Sequence, residues 1–236
     1  MKSLEQRAEE LYYTAPERVS NSILSSVKPF YNRFFKEEFP PSLELAFVKA
    51  IGNDSSTIGI FYRHTGKIEI VFNPSNWGEV AGSIVHELTH LNYERETNLL
   101  QESNKLLEKL KPKSILSWRN NSRNRDIISI YNNRFLHECV AYCAEHLFLW
   151  TFNDDGQAYP RTDTELRESA VKSISSHVLK TADHLANSQL QLAKDNLYTT
   201  AAAVGLSLSI LYQNDPNLWD KLKNIRSIKD LNKLVQ

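Results

Sequence analysis

The chain has 236 residues, 41% hydrophobic and 24% charged, the composition of a globular protein rather than a disordered or fibrous one. Lys+Arg and Asp+Glu both number 28, so the formal net charge is zero, which argues against a nucleic acid or an anionic membrane held by bulk electrostatics. No apolar run approaches a membrane span, and the start Met1-Lys2-Ser3-Leu4-Glu5 lacks the apolar stretch of a secretory signal; the expectation is a cytoplasmic protein, or one exported by a signal-independent route.

Residues 2–13 read as an amphipathic helix. Thr14-Ala15-Pro16-Glu17 reads as the start of another, with Thr14 as cap and Glu17 reaching back, running to about Phe35. Pro40-Pro41 interrupts the pattern. Leu43 to Ile51 reads as a strand ended by Gly52-Asn53-Asp54. A hairpin follows: residues 57–62 and 67–72 are rich in β-branched and aromatic residues, and His64-Thr65-Gly66 joins them, with His64 read as a turn residue.

Asn73-Pro74-Ser75-Asn76 is a turn, and Asn76 with Glu79 makes a capping box for a helix in which Val80, Ile84, Leu88 and Leu91 recur at helical spacing. Inside it lies His86-Glu87-Leu88-Thr89-His90. Two histidines four residues apart leave one face of a helix, where a single ion can reach both rings. A glutamate next to the first histidine then sits over the open side of the metal, placed to take a proton from water. The competing reading is an exposed amphipathic helix with two ordinary histidines.

From residue 76 onward the chain reads almost wholly helical. A polar helix over about 94–110 and a short one near 113–119 flank Pro112, and Asn120 to Asn124 reads as a loop. A long helix over about 125–152 ends at Asn153-Asp154-Asp155-Gly156, and helices over about 162–186 and 188–213 precede short terminal ones. Cys139 and Cys143 fall four apart on the long helix, an awkward geometry for a disulfide, and are expected to be reduced, buried thiols. The fold class is therefore α+β: mostly helical, with a small N-terminal antiparallel β-sheet ahead of the H-E-x-x-H helix. No linker forces a boundary, so residues 1–236 read as one domain, with N-terminal helices and a strand over 1–56, the hairpin and two central helices over 57–152, and a helical remainder over 153–236.

A catalytic zinc ion usually has three protein ligands and one water, so a third ligand is required. A third histidine in the metzincin register is absent: the positions that would hold its glycine and histidine are Tyr93 and Glu96. The long helix offers His137, Glu138 and Glu145. Glu138 is favoured, because it lies among Cys139, Val140, Ala141, Cys143 and Ala144, small or apolar neighbours that make an unpaired carboxylate costly. Glu145, two turns on, is an alternative ligand or a partner that orients a ligand histidine, and His137 is a third candidate. Glu87 with His90 also forms half of a di-metal carboxylate motif, but Ala141 and Phe148 stand where a second half would need histidine.

With these residues in place, the chain resembles a gluzincin-type zinc metallopeptidase: an H-E-x-x-H helix preceded by a small sheet, and a ligand glutamate on a later helix. The Glu-x-x-Ala of Glu138 and Ala141 is similar to compact intracellular members, and the resemblance covers about residues 57–150. It implies Zn2+ held by His86, His90 and Glu138, Glu87 as general base, and hydrolysis of peptide bonds in a specific protein substrate paired along an edge strand at residues 67–72. The balanced charge, as above, gives no nucleic-acid or membrane partner. Tyr131, His177, His184 and Tyr198 are candidates to stabilise the oxyanion. Tyr142 stands where thermolysin-like enzymes carry an aspartate that orients the first histidine, which sets this chain apart from them. A neutral chain of this size fits a regulatory peptidase or an effector acting inside another cell. The alternative is a catalytically inactive zincin-fold binding or regulatory module.

Overall fold

The computed structural model describes residues 16–48, 59–62, 67–71, 77–110, 121–152 and 162–236. Its elements are α1 (Pro16–Phe35), β1 (Glu44–Val48), β2 (Gly59–Tyr62), β3 (Lys67–Val71), α2 (Trp77–Thr97), α3 (Leu99–Leu110), α4 (Asn121–Phe152), α5 (Asp163–Ala186), α6 (Leu190–Leu211), α7 (Leu218–Leu222) and α8 (Ile228–Val235). The mostly helical α+β class is thus observed. The expected helix over 2–13, the caps Thr14 and Asn76, the His64-Thr65-Gly66 turn and the short helix near 113–119 lie outside the described residues. Among the described residues no helix is long and apolar enough to cross a membrane.

Two compact units can be distinguished, Met1–Leu91 with Ala144–Gln157 and Asn92–Cys143 with Ala158–Gln236. Two of the boundaries fall inside helices, so α2 and α4 each run unbroken through the division.

In the first unit the strand order is β1-β3-β2. β2 and β3 form the expected antiparallel pair, with Gly59 opposite Ile70 and Tyr62 opposite Lys67. β1 runs parallel to β3, Glu44 opposite Lys67 and Val48 opposite Val71, so the sheet is mixed. This order corrects the expectation of an edge at residues 67–72: β3 is the central strand, hydrogen-bonded on both sides, and has no free edge to offer a peptide. β3 alternates in burial, with Ile68 and Ile70 wholly buried. On its other face Glu69 pairs with Lys67 at 2.8 Å and accepts from the Tyr62 hydroxyl at 3.0 Å. α1 begins at Pro16, whose fixed φ suits a first helical position. Its buried residues Val19, Ile23, Val27, Phe30, Tyr31 and Phe35 recur at three and four, and Phe30 meets Phe148 of α4 edge to face at 5.4 Å.

Helix boundaries departed from the sequence pattern where a single residue carries the turn. Asn98, at φ 58, separates α2 from α3, so the polar helix begins at Leu99 rather than near residue 94. Asn is among the few residues that tolerate this region. Asn120 to Asn124 was expected as a loop, but α4 already begins at Asn121. In the second unit Thr162 and Glu165 form a reciprocal capping box at the start of α5. The helical pair α5 and α6 packs through Leu166, Ala170 and Ile174 on one side and Ala193, Leu197, Ala201 and Val204 on the other, all buried.

Candidate metal centre

α2 is enclosed rather than amphipathic. Val80, Ala81, Gly82, Ser83, Ile84 and Val85 are consecutive and all buried, as are Leu88 and Thr89. The two histidines are therefore not on a solvated face; His86 is 12% exposed. Their rings meet edge to face at 4.8 Å between centroids, and the two Nε2 atoms are 3.1 Å apart. Two imidazole nitrogens, each about 2.0–2.1 Å from one tetrahedral zinc, stand roughly 3.3 Å apart, so the spacing is compatible with a shared ion, as it is with a direct hydrogen bond between the two rings.

Glu145 of α4 accepts a hydrogen bond from His86 Nδ1 at 2.9 Å. A neutral imidazole that donates through Nδ1 presents a lone pair at Nε2, the atom aimed at His90. Of the two roles open to Glu145, ligand or orienting partner, the geometry fits the second. Next along α4, burial pushes the His146 pKa down, Glu145 pulls it up and His86 pushes it down again.

Glu138 completes the group. One ligand atom from each of His86, His90 and Glu138 lies within 4.8 Å of the other two, and among the described residues these three could hold a metal ion. Two neutral nitrogens and a carboxylate are a donor set that zinc accepts, with one position left for water. His137, the neighbouring candidate, is committed elsewhere. It is buried, its ring lies edge to face on Tyr93 at 4.7 Å, and its Nε2 is 3.2 Å from Glu94.

Glu94 was missed in the sequence, where it read as part of a polar helix. Its two carboxylate oxygens accept from the backbone N–H groups of Leu100 and Gln101, both at 2.8 Å, and so cap α3. Burial pushes this carboxyl up, but His137 and the two backbone donors outweigh it and hold its pKa at about 2. The signal in the sequence was the Glu94-to-Asn98 spacing ahead of a helix start.

Glu87 is half-buried and its side chain lies against β2. A Cβ built on Gly59 would stand 3.2 Å from Glu87 Cγ and 3.3 Å from its Oε1. Among the described residues β2 is the outer strand of the sheet, so the carboxylate next to the histidines lies on the face of an outer strand.

The remaining candidates sit apart in role. His177 stacks flat on Phe135 at 3.9 Å and joins a buried chain from Asn132 through Thr181 to Asn196. His184 pairs with Gln189 at the corner between α5 and α6. Tyr198 is exposed on α6 beneath Lys194. Tyr131 is half-buried on α4, seven residues ahead of Glu138, with its phenol pKa pushed up by burial. Cys139 and Cys143 are unbridged and buried, and burial pushes both thiols up, away from reactivity.

Comparison of the chain with protein-family models, with curated proteins and with solved structures finds no match. The reading of function therefore stands on the donor geometry alone.

Proposed function

We propose that this chain is a zinc-dependent peptidase, with His86, His90 and Glu138 as the metal ligands and Glu87 as the general base. One observation carries the proposal: two imidazole Nε2 atoms 3.1 Å apart, with the Glu138 carboxylate within ligand reach of both and the first ring held in the required tautomer by Glu145. When bound, zinc supplies Lewis acidity and brings the pKa of a coordinated water toward neutrality. The chain's own residues do the rest. Glu87, beside the first ligand and outside the donor set, accepts the proton of the attacking water and passes it to the leaving amine. Glu145 keeps the His86 Nε2 lone pair directed at the ion and strengthens that ring as a donor. The β2 edge at Gly59, next to Glu87, is the backbone along which an extended substrate chain would pair, in place of the buried β3.

The test is metal analysis together with Glu87→Gln. The expected result is one zinc per chain in both proteins and hydrolysis of labelled casein by the parent protein only. Protein that takes up no zinc, or that hydrolyses casein equally in both forms, overturns the assignment. Zinc uptake without hydrolysis in either form identifies a binding module on the same metal centre.

A further inference from the structure

Gly59 is the first residue of β2, and glycine is a poor choice for a strand. It contributes no side chain to the sheet and loses more backbone entropy than any other residue on ordering. A glycine at such a position marks a bulge or a close approach by something else. Among the described residues the pairing is regular, Gly59 opposite Ile70 and Ile60 opposite Glu69, with no bulge. The close approach is present instead. A Cβ at position 59 would come within 2.8 Å of Ile70 Cδ1, 3.2 Å of Glu87 Cγ and 3.3 Å of Glu87 Oε1. The first collision is with the tip of a flexible side chain. The other two are with the carboxylate assigned above as general base.

We infer that Gly59 is a positioning residue for Glu87: its bare backbone leaves the space in which that carboxylate rests against the outer strand of the sheet. This rests on the peptidase reading for its functional consequence, but the steric relationship itself does not. The mechanism requires the Glu87 carboxylate to hold one orientation toward the open side of the metal. A methyl group at 59 crowds the volume that Glu87 Cγ and Oε1 now border, and the side chain must yield by a few tenths of an ångström. The three nearest atoms to a Cβ at 59 belong to Ile70 and Glu87 and to none of His86, His90 and Glu138.

The experiment separates the two neighbours and the two readings. Gly59→Ala is made in the parent chain, with Ile70→Val to remove the Cδ1 collision, and again with Glu87→Ala. Zinc content, thermal midpoint and casein hydrolysis are measured for each. With Ile70→Val present, Gly59→Ala is expected to keep one zinc per chain while hydrolysis falls about tenfold or more, in kcat rather than KM, as loss of aligned proton transfer does. The loss of thermal midpoint caused by Gly59→Ala is expected to shrink when Glu87 is already alanine, since the two positions then no longer compete for space. Unchanged hydrolysis, or a thermal loss equal in both backgrounds, overturns the role of Gly59. Should the parent chain hydrolyse nothing, the peptidase reading fails, and the thermal comparison alone still decides whether Gly59 makes room for Glu87.

Discussion

The Glu145 carboxylate sits 2.9 Å from His86 Nδ1, on the side of the ring away from His90. This contact orients the imidazole and leaves its Nε2 free to act as the donor to an ion in the proposed centre. Replacing Glu145 with glutamine keeps the shape and removes the charge; replacing it with alanine removes both. Zinc affinity is expected to fall about 10–100-fold in the alanine variant and less in the glutamine variant, the usual scale for a partner of a ligand histidine. Competition with a chelator dye measures it. Equal affinity in all three proteins would show that Glu145 does not orient the ring.

Glu94 joins three segments at one carboxylate: it caps α3 through Leu100 and Gln101 and faces the buried His137. Glu94→Ala leaves a buried imidazole and two helix-terminal N–H groups without their acceptor. Losing the cap costs about 0.5–2 kcal/mol and leaving a buried ring beside no acceptor about 1–3 kcal/mol more, and for a chain of this size each kcal/mol shifts the midpoint by roughly 2–4 °C. The thermal midpoint is expected to drop by several degrees, read by circular dichroism. A drop of a degree or less would mean that the contact contributes nothing net.

Some of this was legible in the sequence and some was not. The pair His86 and His90 lies on one helical turn, so four residues of spacing already place both rings on one side. That Glu138 joins the group able to hold a metal ion was legible because it is an acid among small and apolar neighbours, where it needs a strong partner. Glu145 was ambiguous: seven residues is close to two turns, so Glu138 and Glu145 share a face, and which of them meets the ion depends on how far one helix is slid along another. Strand order was not legible either. Both segments of the hairpin alternate, and nothing local reveals that the earlier strand β1 pairs with β3 and encloses it. Gly59 was missed for the same reason, since its neighbour Glu87 is distant along the chain, whereas the capping partners of Glu94 are local and its partner His137 alone is distant.

His177 makes the second unit sensitive to acid. It is fully buried in an aromatic and polar setting, and burial lowers its pKa from 6.5 to about 4. The unfolded chain therefore takes up a proton that the folded chain refuses. Above about pH 6.5 neither state is protonated and the fold is unaffected; between about 6.5 and 4 protonation favours unfolding progressively; below about 4 the loss is complete. Its full size is on the order of 3 kcal/mol. Urea midpoints measured from pH 7 to 4 are expected to decline, and His177→Gln is expected to flatten that decline at some cost in stability at pH 7. A parallel decline in the variant would assign the acid sensitivity to other groups.

Gly205 tests how closely α6 and α4 approach. A Cβ there would lie 2.5 Å from Tyr142 Cβ, 2.9 Å from the Cys143 nitrogen and 3.0 Å from the Cys139 carbonyl oxygen. Two of these are backbone atoms, which cannot swing aside as a side-chain tip can. Within an isolated helix, Gly→Ala is worth about 1 kcal/mol of stabilisation. Here the added methyl must push the helices apart along buried surface, at about 1–3 kcal/mol or more. The packing term outweighs the propensity term, so Gly205→Ala is expected to lower the thermal midpoint, and the sign alone decides between them. Glu138, the proposed third ligand, immediately precedes Cys139 on α4, so displacing this turn also shifts it. Zinc affinity is expected to fall in the same variant, and a stabilised protein with unaltered affinity would show that the two helices have room to spare.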